Sequence, residues 1–145
     1  MRMYKTDLAR TKYADTDLFF DCISLNCPNG YINNLDRIVN LVLIFNKENN
    51  VKIGFAQIKM KFGFLSIYTN VPTTYIPNQR FKYDSDIIFQ HTELLKLIAI
   101  ICRETEKMCN ICGDQLTAVV INSKVVMKCF KHYDNIDNRY EAVES

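Results

Sequence analysis

Between positions 109 and 132 the chain carries four side chains that bind soft transition metals: Cys109, Cys112, Cys129 and His132. Two residues separate the members of each pair and sixteen lie between the pairs. Thiolate sulfur and imidazole nitrogen at this spacing form the donor set of a tetrahedral Cys3His zinc knuckle. This stretch restricts the fold more than any other, because closing the site must bring 109–112 beside 129–132. The interval is suited to doubling back: positions 117–121 and 124–127 are rich in residues that favour strands, and Asn122-Ser123 supplies a two-residue turn. Gly113, directly after the second cysteine, relieves crowding where backbone amides turn toward the sulfurs.

With His132 as fourth ligand the site has no open position, and its expected role is a structural Zn2+. Were another ligand or a water to replace His132, hydrolytic chemistry would become thinkable. The helpers for such chemistry are missing: there is no His-x-Glu paired with Pro-Cys-x-x-Cys, as in zinc deaminases, and no His-Glu-x-x-His. The other histidine, His91, lies among Ile87, Leu94 and Leu95, where a packed, hydrogen-bonded imidazole is expected rather than a base. The expectation is a protein that is not an enzyme.

At 145 residues the chain can bury a core of its own, so the metal need not carry the whole fold. A single domain is expected, divided into an N-terminal arm at 1–16, a core at 17–108, the knuckle at 109–133 and a tail at 134–145. With 48% hydrophobic and 23% charged residues the composition is that of a folded protein. The formal net charge of +2 is too small to argue for nucleic acid by itself. The longest apolar run, 94–102 with Lys96 inside it, falls far short of the roughly 20 residues a membrane span needs. No apolar leader follows Arg2, Lys5, Asp7 and Arg10, and six cysteines with paired metal spacings fit a reducing compartment, so a cytoplasmic protein is expected.

The fold class expected is α+β, a small antiparallel sheet packed on two main helices with the zinc knuckle and its hairpin at the C-terminal end. Residues 1–16 form an arm or a short element, and 17–25 a strand or short helix. Turn formers at 26–30 then precede a helix over 31–45, whose apolar stripe is Leu35, Ile38, Val39, Val42 and either Ile44 or Phe45. Asn46 to Asn50 end it. Positions 51–60 and 62–69 alternate as an antiparallel pair, although neither face is cleanly apolar. An irregular connection at 70–80 contains Pro72 and Pro77, and a long helix follows from a cap at Asp84 or Ser85 to about Thr105. Its apolar residues cover most of its circumference, which predicts a central core helix or one with a side against a partner. Cys22, Cys27 and Cys102 are expected to be reduced thiols, Cys102 in the core.

Two regions can bind a partner or nucleic acid. Lys59, Lys61, Phe62, Phe64 and Tyr68 interleave basic and aromatic groups, the pattern that holds phosphates and stacks bases. Lys124, Lys128 and Lys131 supply cations on the metal-bound hairpin.

Three segments taken together resemble an uncharacterised family of small phage and bacterial zinc-knuckle proteins. They are Cys27-Pro-Asn-Gly-Tyr-Ile-Asn-Asn-Leu opening a helix, the strand pair around Lys61-Phe62-Gly63, and Cys109-Asn-Ile-Cys-Gly113 with Cys129. The resemblance spans about residues 20–133. Tyr31 stands where Trp is usual, Met60 where Glu is usual and Ser66 where Arg is usual, so a role built on that charge pair is not carried over. What the resemblance implies is a zinc-stabilised accessory protein of a mobile element. Such a protein would bind, and in that context inhibit, a host protein or ribonucleoprotein such as an RNA-guided defence complex. Direct nucleic-acid binding stands as the alternative, and a zinc hydrolase as a third.

Overall fold

The computed structural model describes residues 7–72 and 85–135. Asp84, one of the two expected caps, residues 73–80 of the irregular connection and the tail beyond 135 lie outside them; Ser85, the other, is the first residue of the long helix. The architecture is α+β, with three helices and two small antiparallel sheets. Helix α1 (Asp7–Tyr13) comes first, where an arm or short element was expected, and it buries Ala9 and Tyr13. Single 3-10 turns follow at Asp17–Phe19 and Asn29–Tyr31. Then come α2 (Ile32–Asn49), β1 (Phe55–Lys61), β2 (Phe64–Thr69), α3 (Ser85–Glu104), β3 (Thr117–Ile121) and β4 (Lys124–Lys128).

The stripe of α2 packs as its periodicity requires, with Leu35, Ile38, Val39, Val42 and Phe45 buried and Ile44 exposed. The helix runs on to Asn49 and stops at Asn50, whose left-handed backbone (φ 52°) suits asparagine. Asn46 reaches past this end: its amide donates to the Ile53 carbonyl at 2.9 Å while its side-chain oxygen accepts from the Ile53 N–H at 3.0 Å. One side chain thus ties the helix end to the entry of the sheet.

A register shift between Phe55 and Gln57 explains why the first strand of the pair has no cleanly apolar face, and in the second the outward residues include Phe64 and Tyr68. Because Ala56 is extra, Phe55 and Ile58 both reach the core, although three positions apart, and side chains change faces across the bulge. Beyond it Ile58 and Met60 face inward opposite Ile67 and Leu65, and Gln57, Lys59 and Lys61 face outward with Tyr68, Ser66 and Phe64. The pair turns at Phe62-Gly63, both at positive φ (55° and 82°), so Phe62 belongs to the turn and not to the second strand as the alternation predicted.

Both edges of the pair are covered. Residues 23–26 lie along β1, with Ile23 and Asn26 donating to Ala56 and Ile58 and the Ile58 N–H donating to Ser24. On β2 the Leu65 N–H donates at 2.8 Å to Thr105 Oγ1, a fully buried hydroxyl at the end of α3 that in turn donates to the Cys102 carbonyl. Helix α3 buries His91, Leu94, Ile98, Ile101 and Cys102 against α2 and β2. It is not buried all round: Phe89, Leu97 and Ile100 are exposed on its far side. The Arg37 guanidinium grips the Glu104 carboxylate with both nitrogens (2.6 and 3.3 Å), and the buried Asn34 donates to Ile101 and Glu104, which fixes the crossing of α2 and α3.

Candidate metal centre

Each ligand pair is placed by a tight local fold. The chain leaves α3 through a 3-10 turn at Thr105–Lys107 and folds back on itself, with Cys109 N–H donating to Asp114 and Leu116 N–H to Lys107 (2.8 and 2.7 Å). Inside that bend Gly113 N–H donates to the Cys109 carbonyl at 2.8 Å, and Gly113 takes φ 83°, a backbone suited to glycine. The Ile111 N–H points at Cys109 Sγ (3.4 Å), where it stabilises a thiolate. Hairpin β3–β4 turns at Asn122-Ser123, both at positive φ, as the two-residue loop predicts, and returns Cys129 to the knuckle. His132 follows in a turn closed by its own N–H on the Cys129 carbonyl.

The four donor atoms then lie within 4.8 Å of one another. Cys112 Sγ is 3.7 Å from Cys129 Sγ, and His132 Nδ1 is 3.6 Å from both Cys109 Sγ and Cys129 Sγ. Ligands at about 2.3 Å (sulfur) and about 2.0 Å (nitrogen) around a tetrahedral centre would stand about 3.8 Å apart sulfur to sulfur and about 3.5 Å sulfur to nitrogen. The edges observed match that tetrahedron, so the residues present fit Zn2+ in size, number and softness. The ring nitrogen presented is Nδ1.

Electrostatics favour the same use. Burial raises the Cys129 thiol, but hydrogen bonds from His132 and from the backbone of Lys131 outweigh it and bring the group down to about 7. Burial and the neighbouring thiols push Cys112 up to about 12, so without a cation the cluster holds on to protons that a divalent ion would displace. Lys131 closes the outside, its ammonium 2.9 Å from Asp114.

The knuckle sits on the start of α2. Gly30 N–H donates to the Asn110 carbonyl at 3.0 Å, and the buried Tyr31 reaches Met108 O with its hydroxyl. A Cβ on Gly30 would stand 2.2 Å from the Cys109 carbonyl oxygen, and one on Gly113 would stand 2.5 Å from Gly30 O, so the two segments touch backbone to backbone. Sequence reasoning treated 26–30 as a break between elements and missed this contact. Its signal is slight: two glycines eighty-odd residues apart, each beside a cysteine-containing turn.

The remaining cysteines stay apart from the cluster. Burial raises the Cys22 thiol, and it pushes Cys27 and Cys102 up to about 12, which keeps those two protonated and inert at neutral pH. His91 is buried, with Nε2 2.9 Å from the Thr69 hydroxyl. Of the expected binding lysines, Lys59 lies over the Tyr68 ring and Lys61 beside Phe62. On the hairpin Lys124 is exposed at the turn, Lys131 is paired with Asp114, and Lys128 is buried to 7% exposure, so these three do not present one free basic patch. No helix of the described residues is long and apolar enough to cross a membrane. Comparison with protein-family models, with curated proteins and with solved structures returns no match.

Proposed function

We propose that this chain is a non-catalytic binding module whose C-terminal part is clasped by a structural Zn2+. One observation supports the reading: four protein donors lie within 4.8 Å of one another, with three of their separations at 3.6–3.7 Å, and four such donors fill a tetrahedral Zn2+ without calling on water or substrate. Exposed apolar side chains offer a partner a surface: Phe20 and Ile23 are more than four-fifths exposed, and Phe89 and Ile100 about three-fifths. The partner proposed is a protein or ribonucleoprotein. Where the resemblance to phage zinc-knuckle proteins holds, it is one belonging to a host, such as a defence complex, and the chain acts in the cytoplasm as its inhibitor.

The metal is tested by its content and by cobalt substitution. One equivalent of zinc per chain is expected, and Co2+ should give the intense visible bands of a tetrahedral thiolate site. Cys109→Ser, Cys129→Ser and His132→Ala should each shift those bands. A chain that purifies without zinc and takes up no Co2+ would sink the clasp. The partner is tested by pull-down with the zinc-loaded chain, where a stoichiometric complex that persists at raised salt is expected.

A further inference from the structure

The outward face of the β1–β2 pair carries a row of cations, each lying against an aromatic ring. Lys61 Nζ is 5.3 Å from the Phe62 ring centre, Arg103 Cζ from α3 is 4.6 Å from Phe64, and Lys59 Nζ is 5.8 Å from Tyr68. Phe64 and Tyr68 are four residues apart on one face of one strand, which sets them about 13 Å apart. Phe62 stands at the tip, 78% exposed. Neither the core nor the turn accounts for a phenylalanine there: among the described residues the ring is not part of the core, and a left-handed turn position favours asparagine or glycine. Beside the row runs a groove of about 680 Å3 between β2 and α3, with Phe64, Ser66, Tyr68 and Arg103 in its wall.

Charge distinguishes this face from the rest of the molecule. From Phe55 to Thr69 the strand pair holds Lys59 and Lys61 and no acidic residue, against a formal charge of +2 for the whole chain. Among the described residues Lys59 and Lys61 enter no ion pair, and the carboxylate approaching the row is Glu106, 3.6 Å from Arg103. Cations from β1 and α3 set beside rings on β2 and its turn match a polymer with a charge and a flat apolar group in every repeat.

We infer that this face binds a single strand of nucleic acid, its bases stacking on Phe62, Phe64 and Tyr68 and its phosphates meeting Lys59, Lys61 and Arg103. A duplex keeps its bases stacked inside and cannot use the rings. A protein segment would use the rings but not a row of cations, unless it were acidic. The inference deepens the binding-module reading by naming what one face takes, and rests on it in that no chemistry is done on the strand.

The test is fluorescence anisotropy with the zinc-loaded full chain and labelled, unstructured oligouridine, oligothymidine and duplex of about a dozen nucleotides. Both single strands should bind better than the duplex. Three cations give a log–log salt slope of about −2, so a fourfold rise in salt should weaken binding about 16-fold. Phe62→Leu and Tyr68→Leu should each cost on the order of tenfold while keeping apolar bulk. Lys59→Gln with Lys61→Gln should flatten the salt slope to about −0.7. These side chains point outward, so circular dichroism and the thermal midpoint should hold, which separates lost binding from lost folding. Absence of binding at about 50 mM salt, equal affinity for duplex, or binding lost through Lys124→Gln but not through these variants would overturn the inference. Capture of a protein partner that Phe62→Leu and Tyr68→Leu release would also overturn it while leaving the binding module standing. Shortening of the bound strand would remove the non-catalytic reading and leave the face assigned.

Discussion

Two buried polar residues decide how the long helix meets the sheet. The Thr105 hydroxyl accepts from Leu65 N–H and donates to the Cys102 carbonyl, with no exposure to water. Thr105→Val keeps the volume and removes both bonds, so a backbone N–H at the edge of β2 loses this buried acceptor at a cost of about 1–3 kcal/mol. Urea unfolding should show a lower midpoint with an unchanged slope; an unaltered midpoint would mean that another acceptor replaces the hydroxyl. His91 acts through pH. Burial holds its imidazole below the ordinary value of 6.5, so the unfolded chain binds the proton more readily than the folded one. The sign follows: the stability His91 contributes is fully present above 6.5 and is lost as the pH falls from there toward the depressed folded value. His91→Gln, which can still bond to Thr69, should flatten that part of the stability profile, and parallel profiles for the two proteins would show that His91 does not titrate on unfolding.

Among the elements, a contact that joins the two halves of the protein is the one between the knuckle and the 3-10 turn Asn29–Tyr31 that leads into α2. Gly30 has no room for a methyl group, since the atoms in the way are the backbone of Cys109, Asn110 and Gly113 and cannot rotate aside. Gly30→Ala should therefore destabilise the fold by about 1–3 kcal/mol through overpacking and loosen the metal by pushing Cys109 off its place. Competition with a chromophoric chelator would measure the second effect, and an unchanged zinc affinity would show that the knuckle tolerates displacement. This contact marks the limit of what could be read in advance. The clustering of the four candidate ligands was legible because their spacing is local and their donor chemistry is specific. Helix α2 was legible because one side buries and its stripe repeats at the helical period. The strand pair was legible in position, but the bulge at Ala56 reverses which residues face inward, and no alternation pattern shows that in advance. The backbone contact of Gly30 with the knuckle, and the meeting of Arg103 with Phe64, depend on how distant segments pack and leave no periodic trace.

At the scale of the whole molecule the protein has two cores of unequal size. The larger gathers buried residues from Ala9 to Cys102 on all three helices and the first sheet; the smaller consists of Cys109, Leu116 and Cys129 with Ile111 and Met127 against them. The larger core can persist without the metal, because none of its buried members is a ligand. The smaller is expected not to, because two of its three buried residues are candidate ligands, and hairpin β3–β4 leaves Val120 and Val125 about seven-tenths exposed, contributing little burial of its own. Removing the metal should therefore act regionally. In hydrogen exchange after chelation, residues 109–132 should lose protection, with a smaller loss in the turn around Gly30 that docks on them, while α2, β1, β2 and α3 keep theirs. Returning zinc should restore the protection, and acid should favour its loss, since the thiols and His132 must give up protons to bind the ion. Uniform loss of protection across both cores would make the metal a determinant of the entire fold, and an unchanged exchange pattern would mean that the cluster closes without it. The regional outcome has a functional consequence: the face of β1–β2 belongs to the larger core, so the metal-free chain should keep its affinity for single strands within a few-fold.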